Sequence, residues 1–544
     1  MLRGRLRTKA VGRPFFRLLA PTLTSLLLLV AGPSILFADE FKTPAISAVH
    51  VEWRAVLDQL RSELGSQPSV ASAFAFSGQR RVPASDPRST PALVPLNAVT
   101  SPIFTGRGRS PVPVLLPFDT AALLEARSNG VPASVTLARY QADFRPADLF
   151  EAGLAGYDAI FSLEPGAGDG MPQRTFARPV EVQITGSILT YDINDPLGGK
   201  GEPVKALAAQ FPDLRRFIRE GYVRYAFTRF GVPYVVSIQC LDSVPRAQRL
   251  ACREAYPVAE RFLKALHVAG GLPSRPRADI PSEIVERPLT ASPDFTYRPA
   301  GDIIVNSGSR KQGGRADFTA YAQIRFPLEK APAYAHSQSF GNRRSDKPDE
   351  LTGSNTSYPW QDNFCEARSF GVGQCASGFG HQGQDIRPAP CPLHNTECEN
   401  NQQGIVAVRD GVLIRSLKQQ AATLQVNTRN EHVRFRYMHM NPASMDADGV
   451  LNGRHVWESE RIGLVSNYLD HPNGTTRHLH FDTQVFTRDG YLWVNPYVTL
   501  VSAYERLIHG RGREIGPEPT LPPAVAHALP PEVSHPDPQE GGEN

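Results

Sequence analysis

Two short segments in the second half of the chain place histidines and an aspartate at spacings that suit a metal ion. His381 and Asp385 stand four residues apart across a glycine, and they converge if the chain turns between them. His478 and His480 flank an apolar residue, so a β-strand would present both imidazoles on one face. Two imidazole nitrogens and one carboxylate oxygen suit Zn²⁺ and leave a fourth position for water. A structural site would be closed, so this pattern indicates a catalytic zinc site.

A third segment, Val433–His439, offers a further imidazole. If the segment is a strand, alternation puts His439 on the same face as Tyr437. The chain holds 14 histidines, so each short motif by itself arises by chance at somewhat under roughly one occurrence. A hydrogen-bonded structural histidine is therefore the alternative at every position, and only the set as a whole indicates a site.

In this order, and with their neighbours, the motifs resemble the lysostaphin/LytM-type zinc endopeptidases, whose domain is of the duplicated hybrid motif type. The resemblance runs from Arg325 to Asn495, about a third of the chain. It rests on a first strand (Phe326–Leu328), an "FG-x-R" turn (Ser339–Arg343), an H-x-x-x-D-I motif (His381–Ile386) and a hairpin (Ile405–Val412). Three later strands complete it: Arg436–Met440, Arg461–Gly463 and His478–Asp482.

The resemblance implies a role for each matching polar residue. His381, Asp385 and His480 would ligate Zn²⁺. His439 and His478 would be catalytic, because they would orient or deprotonate a water molecule and stabilise the oxyanion.

By the same resemblance, residues 323–510 would form an all-β peptidase domain whose antiparallel sheets make an open groove. The expected activity is that of an exported zinc metalloendopeptidase, which hydrolyses peptide crosslinks of peptidoglycan with a zinc-activated water. Peptidoglycan stem peptides would be its partners, and the D-Ala–diaminopimelate bond is the first expectation. Two alternatives stay open: a non-catalytic LytM-type regulator that activates a cell-wall amidase, and a secreted general metalloprotease. Such regulators typically lose zinc ligands, whereas here all are present.

Two insertions depart from the family pattern. Asn342–His381 lengthens the gap before the first zinc histidine and carries Cys365 and Cys375, and Cys391–Gln403 interrupts a later run. Both flank the expected cleft and leave substrate preference open. Asp482 stands where the family has Glu and is expected to support a strand hydrogen bond. Four histidines outside the matching positions are assigned to solvent or loop roles: His394, His432, His455 and His471.

Composition divides the rest of the chain. The expected parts are a signal peptide at 1–38, a helix (about Ile46–Leu64) and Pro/Ser-rich linker at 39–110, a mixed α/β domain of unknown role at 111–290, a connector at 291–322 and a disordered Pro-rich tail at 513–544. Within 111–290, periodicity predicts strands at Val180–Tyr191 and Val232–Gln239, and helices at Pro203–Glu220 and Arg249–Leu266.

Charge, hydropathy and cysteines indicate the compartment. Six of the positive charges lie in residues 1–38, which hold no acidic residue, so the remainder has a net charge of −2 and a nucleic-acid partner is unsupported. The signal, cleaved after Ala38 or kept as an anchor, exports the rest to the periplasm or beyond, and no later segment is apolar enough to span a membrane. Export predicts disulfides, with nearest neighbours paired as Cys240–Cys252, Cys365–Cys375 and Cys391–Cys398.

Overall fold

A computed structural model of the chain describes most of residues 45–509. The described residues are 45–65, 110–119, 122, 143–164, 179–193, 201–219, 222–240, 250–273, 324–335, 362–366, 368, 372, 375, 380–388, 403–467 and 477–509. The expected signal peptide, connector and tail lie outside these residues, as do Cys391 and Cys398.

The first half of the described chain consists mainly of antiparallel strands. A seven-stranded sheet, here called the N-terminal sheet, has the order β3-β4-β5-β10-β9-β8-β7, while β1 pairs with β6 and β2 with β11. The elements are β1 (Ala45–Ala48), α1 (Trp53–Gly65), β2 (Val114–Pro117), β3 (Phe144–Ala152), β4 (Gly156–Leu163), β5 (Val180–Ser187), β6 (Leu189–Asp192), β7 (Glu202–Pro203), β8 (Arg215–Arg219), β9 (Tyr222–Arg229), β10 (Val232–Gln239), α2 (Tyr256–Lys264) and β11 (Leu266–Gly270).

The second half is also mainly β. Its larger sheet, here called the C-terminal sheet, has the order β12-β13-β20-β17-β16-β15-β18, with β21 also paired to β20, while β14 pairs with β19. The elements are β12 (Ala333–Ala335), β13 (Gln384–Pro388), β14 (Gly404–Val406), β15 (Gly411–Ile414), β16 (Ala422–Asn427), β17 (His432–Met438), α3 (Pro442–Ala447), β18 (His455–Val456), β19 (Arg461–Leu464), β20 (Leu479–Thr487), β21 (Gly490–Val494) and α4 (Tyr497–Ile508).

The sheet character expected of residues 323–510 is confirmed, but one detail is wrong. The segment Ile405–Val412 does not form a hairpin, because β14 pairs with β19 whereas β15 pairs with β16 and β18.

The described residues before and after the expected connector belong to one unit, Phe41–Asn544. Their division into separate domains stays a prediction.

The described residues of 111–290 form mostly antiparallel sheet with one α-helix, rather than the expected mixed α/β unit. The strand predicted at Val232–Gln239 is confirmed, and the segment predicted at Val180–Tyr191 is extended but forms two strands, β5 and β6, in different sheets. The helix predicted at Pro203–Glu220 is wrong, since a short 3₁₀ turn at Lys205–Leu207 is followed by strand β8. Pro212 explains the break, because a proline disfavours helical conformation in the residue before it.

The other predicted helices are shorter than expected. Helix α1 begins only at Trp53, because Ala45–Ala48 pairs with β6 as a strand. In the segment predicted from Arg249 to Leu266, a 3₁₀ turn precedes α2, and the chain then enters β11. None of the helices among the described residues combines the length and apolar character needed to cross a membrane.

The two large sheets lie against each other. One face of the N-terminal sheet joins α1 and α2 in a core that includes Val56, Phe161 and Phe262. One face of the C-terminal sheet joins α4 in a second core that includes Phe481 and Leu500. Between the other two faces lie two small apolar clusters, which are Phe217, Ala226, Val235, Phe486 and Tyr491, and Leu149, Ile160 and Val412.

A buried carboxylate joins the sheets between these clusters. Asp158 of β4 accepts from His432 Nε2 at 2.7 Å, from Arg434 Nη2 at 2.9 Å and from the Thr185 hydroxyl at 2.5 Å. His432 is fully buried, so its expected solvent or loop role is wrong. Burial alone would raise the pKa of Asp158, but the positive charges of His432 and Arg434 lower it below its usual value.

Two of the expected disulfides are confirmed. Cys240 is bonded to Cys252, and Cys365 is bonded to Cys375. The pairing of Cys391 with Cys398 falls outside the described residues and stays a prediction.

Substituting Ala for Asp158 should lower the free energy of unfolding by about 3–5 kcal/mol, because His432 and Arg434 would remain buried without their carboxylate. Urea unfolding at pH 7 measures this loss. The folded pKa of Asp158 is lowered, so its contribution is present above the ordinary Asp pKa of about 4 and is lost as pH falls through the folded value. Asp213→Ala, which removes an exposed carboxylate, is the control and should cost much less. Equal losses in the two variants would contradict the network's importance.

Candidate metal centre

Two neighbouring strands of the C-terminal sheet bring the first ligands together. Asp385 of β13 stands directly opposite His480 of β20, and paired residues of antiparallel strands project from the same face. Leu479 and Phe481 alternate with His480 and pack into the core on the other face. Strand β20 begins at Leu479, and His478 precedes it in an isolated bridge.

The three residues expected to ligate zinc converge on one point. His381 Nε2 lies 2.9 Å from His480 Nδ1 and 3.3 Å from Asp385 Oδ1, and His480 Nδ1 lies 3.2 Å from Asp385 Oδ1. A tetrahedral zinc ion with bonds of about 2.0–2.1 Å holds its ligand atoms about 3.3 Å apart. The triangle therefore has the size of one face of a zinc tetrahedron, and all three residues are buried.

The outer contacts of the two imidazoles turn their lone pairs inward. His381 Nδ1 lies 2.9 Å from the carbonyl oxygen of Asn363, which can only accept, so Nδ1 carries the hydrogen and Nε2 the lone pair. The Asp482 carboxylate lies 3.4 Å from His480 Nε2 and favours a hydrogen there, which leaves the lone pair on Nδ1. Two lone pairs and a carboxylate oxygen then face one another and repel. A cation bound between them would turn this repulsion into attraction. The residues present thus fit a zinc ion.

The charges of the site also favour a cation. Burial alone would raise the pKa of Asp385, but His381 and His478 hold it well below its usual range, so the carboxylate is ionised. Burial lowers the pKa of His480, yet the carboxylates of Asp385 and Asp482 outweigh this effect and raise it. Two buried carboxylates therefore attract positive charge to this point.

The two histidines expected to be catalytic lie beside the triangle. His478 Nε2 is 3.3 Å from Asp385 Oδ1. The ring of His439 is centred 4.8 Å from that of His478 and 6.0 Å from that of His480, and its Nδ1 lies 3.0 Å from Gln420 Oε1. Burial, with the neighbouring imidazoles of His478 and His480, holds the pKa of His439 well below its usual range, so the ring is neutral at neutral pH.

His439 does not share a face with Tyr437, so that prediction is wrong. Tyr437 packs in the core, whereas strand β17 ends at Met438 and His439 follows with a φ of 68°. This left-handed conformation is uncommon for a residue other than glycine, and it takes His439 out of the alternation of the strand. His439 keeps a small part of its surface exposed.

Gly383 permits the close approach of the two ligand-bearing segments. A Cβ atom at this position would lie 2.4 Å from the carbonyl oxygen of Phe481 and 2.9 Å from His480 Nε2. A side chain there would push β13 away from β20. The glycine between His381 and Asp385 is therefore a packing requirement of the site.

Of two residues that support the ligands, the sequence indicated one and gave no sign of the other. Asp482 was expected to support a strand hydrogen bond, and its buried carboxylate accepts from Nε of Arg436, its pair on strand β17, at 2.6 Å and from Gln484 Nε2 at 3.0 Å. Alternation with His480 could have placed it on the polar face. Asn363, which contacts His381, lies in an insertion whose local pattern holds no such signal.

Comparison with known proteins adds little to this geometry. No protein-family model and no curated protein matches the chain. One similar solved structure is a protein of Ruminococcus gnavus ATCC 29149 that carries the name glycyl-glycine endopeptidase lytM. It is 21% identical over 23% of this chain and 47% of that chain, with a TM-score of 0.17. The chain thus matches about half the length of that protein.

The wild-type protein should hold about one zinc ion per chain, because the part of the chain that the structure describes contains one three-residue ligand set. His480→Ala removes one of only three protein ligands, so zinc content after dialysis should fall close to zero. His478→Ala leaves the triangle intact and should keep the metal. Metal analysis of the three purified proteins, with circular dichroism to verify folding, measures the difference. Zinc lost from His478→Ala and kept by His480→Ala would invert the assignment.

Proposed function

We propose that the protein is a zinc metalloendopeptidase that hydrolyses peptide crosslinks of peptidoglycan. The observation that carries this proposal is the triangle of His381 Nε2, Asp385 Oδ1 and His480 Nδ1, with His478 and His439 beside it. A site with three ligands and two further imidazoles matches the needs of metal-assisted hydrolysis. A structural zinc site has no use for the two extra histidines.

A zinc ion held by this triangle would polarise a substrate carbonyl and lower the pKa of a water molecule to about 7. The residues of the chain supply the other functions. Asp385 is ionised and supplies the negatively charged ligand oxygen. The carbonyl of Asn363 keeps His381 in the ligating tautomer, and the Asp482 carboxylate, 3.4 Å from His480 Nε2, favours that tautomer of His480.

The imidazoles of His439 and His478 would carry the proton transfer. His439 is neutral at neutral pH, so it can accept a proton from the attacking water. His478 Nε2 is within 3.3 Å of Asp385 Oδ1, which keeps the ring oriented beside the triangle. From there it would donate to the oxyanion that forms as the peptide bond is attacked.

The substrate class rests on the sequence resemblance described above. The two disulfides among the described residues are compatible with an exported chain, where a cell-wall substrate would be met. That the chain is exported, and that it cleaves the D-Ala–diaminopimelate bond, are parts of this proposal. The regulator alternative is disfavoured, because a protein that only activates an amidase needs neither a ligand triangle nor a neutral imidazole beside it.

The decisive measurement is digestion of purified peptidoglycan, with the released fragments identified by mass spectrometry. Wild-type protein should release crosslink-cleaved peptides. His439→Ala and His478→Ala should each reduce the rate about 10²–10⁴-fold with zinc retained, since each removes a proton-transferring group.

His455→Ala is the matched control, because this exposed histidine on β18 is remote from the ligand set in sequence and pairing. It should keep full activity. Cleavage of casein but not of peptidoglycan would favour the general metalloprotease. If the zinc-loaded wild type hydrolyses neither substrate, the endopeptidase proposal fails.

A further inference from the structure

A disulfide-bonded segment lies directly behind the first zinc histidine. This stapled segment comprises residues 362–366 and the bond from Cys365 to Cys375. The backbone N–H of Cys365 donates to the carbonyl of His381 at 2.8 Å, and the backbone N–H of His381 donates to the carbonyl of Glu366 at 2.9 Å. These two hydrogen bonds fix the main chain of His381 on both sides.

Asn363 connects the stapled segment to both halves of the H-x-x-x-D motif. Its side-chain Oδ1 accepts from the backbone N–H of Asp385 at 3.1 Å, and its carbonyl oxygen accepts from His381 Nδ1 at 2.9 Å. Its own N–H donates to Gln384 Oε1 at 3.2 Å. Asn363 is fully buried, so water cannot replace these contacts, and one residue orients two of the three ligands.

The disulfide lies where it can hold Asn363 in place. Cys365 and Cys375 form a small core with Phe364, Val372 and Trp493, separate from the two large cores. The turn that leads into His381 is packed against the bond, because a Cβ atom at Gly380 would lie 2.7 Å from Cys365 Cα and 2.8 Å from Cys375 Sγ.

The other end of the segment is tied to the sheet by a buried carboxylate. Asp362 accepts from Gln384 Nε2 at 2.6 Å and from Asn495 Nδ2 at 2.8 Å. The segment is thus held at Asp362 by hydrogen bonds and at Cys365 by a covalent bond. Asn363 lies between these two anchors.

We infer that the stapled segment positions the metal ligands: Asn363 orients Asp385 and His381, and the Cys365–Cys375 bond holds Asn363 where it can do so. This inference rests on the proposed zinc site but not on the proposed substrate. It makes Asn363 a positioning residue, and it couples zinc affinity to the presence of one particular disulfide.

The first test replaces the side-chain acceptor of Asn363. Asn363→Leu removes the bond to the Asp385 N–H and keeps the volume, so zinc affinity should fall about 10–100-fold, the usual cost of losing a partner of a metal ligand. Asn363→Asp restores an acceptor oxygen and should bind zinc more tightly than the Leu variant. Competition with a chromophoric chelator measures the affinity of the full-length oxidised protein, and circular dichroism of each apoprotein verifies its fold.

The second test compares the two disulfides. Cys365→Ala with Cys375→Ala should weaken zinc binding at least as much as Asn363→Leu, since the whole segment loses its anchor. Cys240→Ala with Cys252→Ala removes a disulfide that lies in the N-terminal core, and it should leave zinc affinity unchanged even if the melting temperature falls. The absorption spectrum of bound Co²⁺ reports the ligand geometry in both double variants.

The outcomes separate the two proposals. A wild-type protein that binds no zinc overturns the proposed metal site itself. If the wild type binds zinc, and Asn363→Leu and the Cys365/Cys375 double variant bind it as tightly as the wild type does, the positioning inference alone is overturned. If the two double variants weaken zinc binding equally, or if Asn363→Leu and Asn363→Asp do, the loss comes from general destabilisation. Either result also overturns the positioning inference.

Discussion

The polar face of strand β20 is the constraint on which the surrounding structure depends. Every one of its nine positions is buried, yet His480, Asp482 and Gln484 stand on one face of it. A buried polar group without a partner costs about 1–3 kcal/mol, so each of these side chains must be paired by protein. The elements packed over this face are those that supply the partners.

The pairing changes along the strand. At its start, Asp385 and His381 surround His480. In the middle, Arg436 of β17 neutralises Asp482. His432 and Arg434 lie on the same face of β17 as Arg436, and both pair with Asp158 of the N-terminal sheet. The metal centre is therefore one end of a row of paired polar side chains, and the other end of the row joins the two sheets.

The contact between the sheets carries charged side chains at its centre. A buried ion-pair network contributes less stability than apolar packing of the same volume. It does, however, exclude arrangements of the two sheets that would leave the Asp158 carboxylate unpaired. Arg224 of β9 adds a hydrogen bond to the carbonyl of Tyr491, and Arg215 pairs with Asp489 at 2.9 Å. The N-terminal sheet is thus bound to the β20–β21 hairpin of the C-terminal sheet by several charged groups.

Much of the site was present in local sequence, and the rest was decided by tertiary structure. Spacing alone predicted that His480 shares a strand face with polar neighbours and that His381 and Asp385 could converge, because alternation and tight turns are properties of a few consecutive residues. The positions of His439 and His432 were not predictable in this way. His439 follows the end of its strand in a left-handed conformation. The buried ring of His432 is paired with the carboxylate of Asp158, which lies 274 residues away in the chain.

Asn363 shows the same limit within the site. Nothing in the pattern around it indicates a role, since its partners are brought to it by a disulfide and by sheet register. The helix predicted at Pro203–Glu220 failed for a local reason instead, because Pro212 separates a 3₁₀ turn from strand β8 of the N-terminal sheet. Local sequence determined which residues could bind a metal and which segments could be strands. Only the tertiary structure decided which charges meet, because those partners lie far apart along the chain.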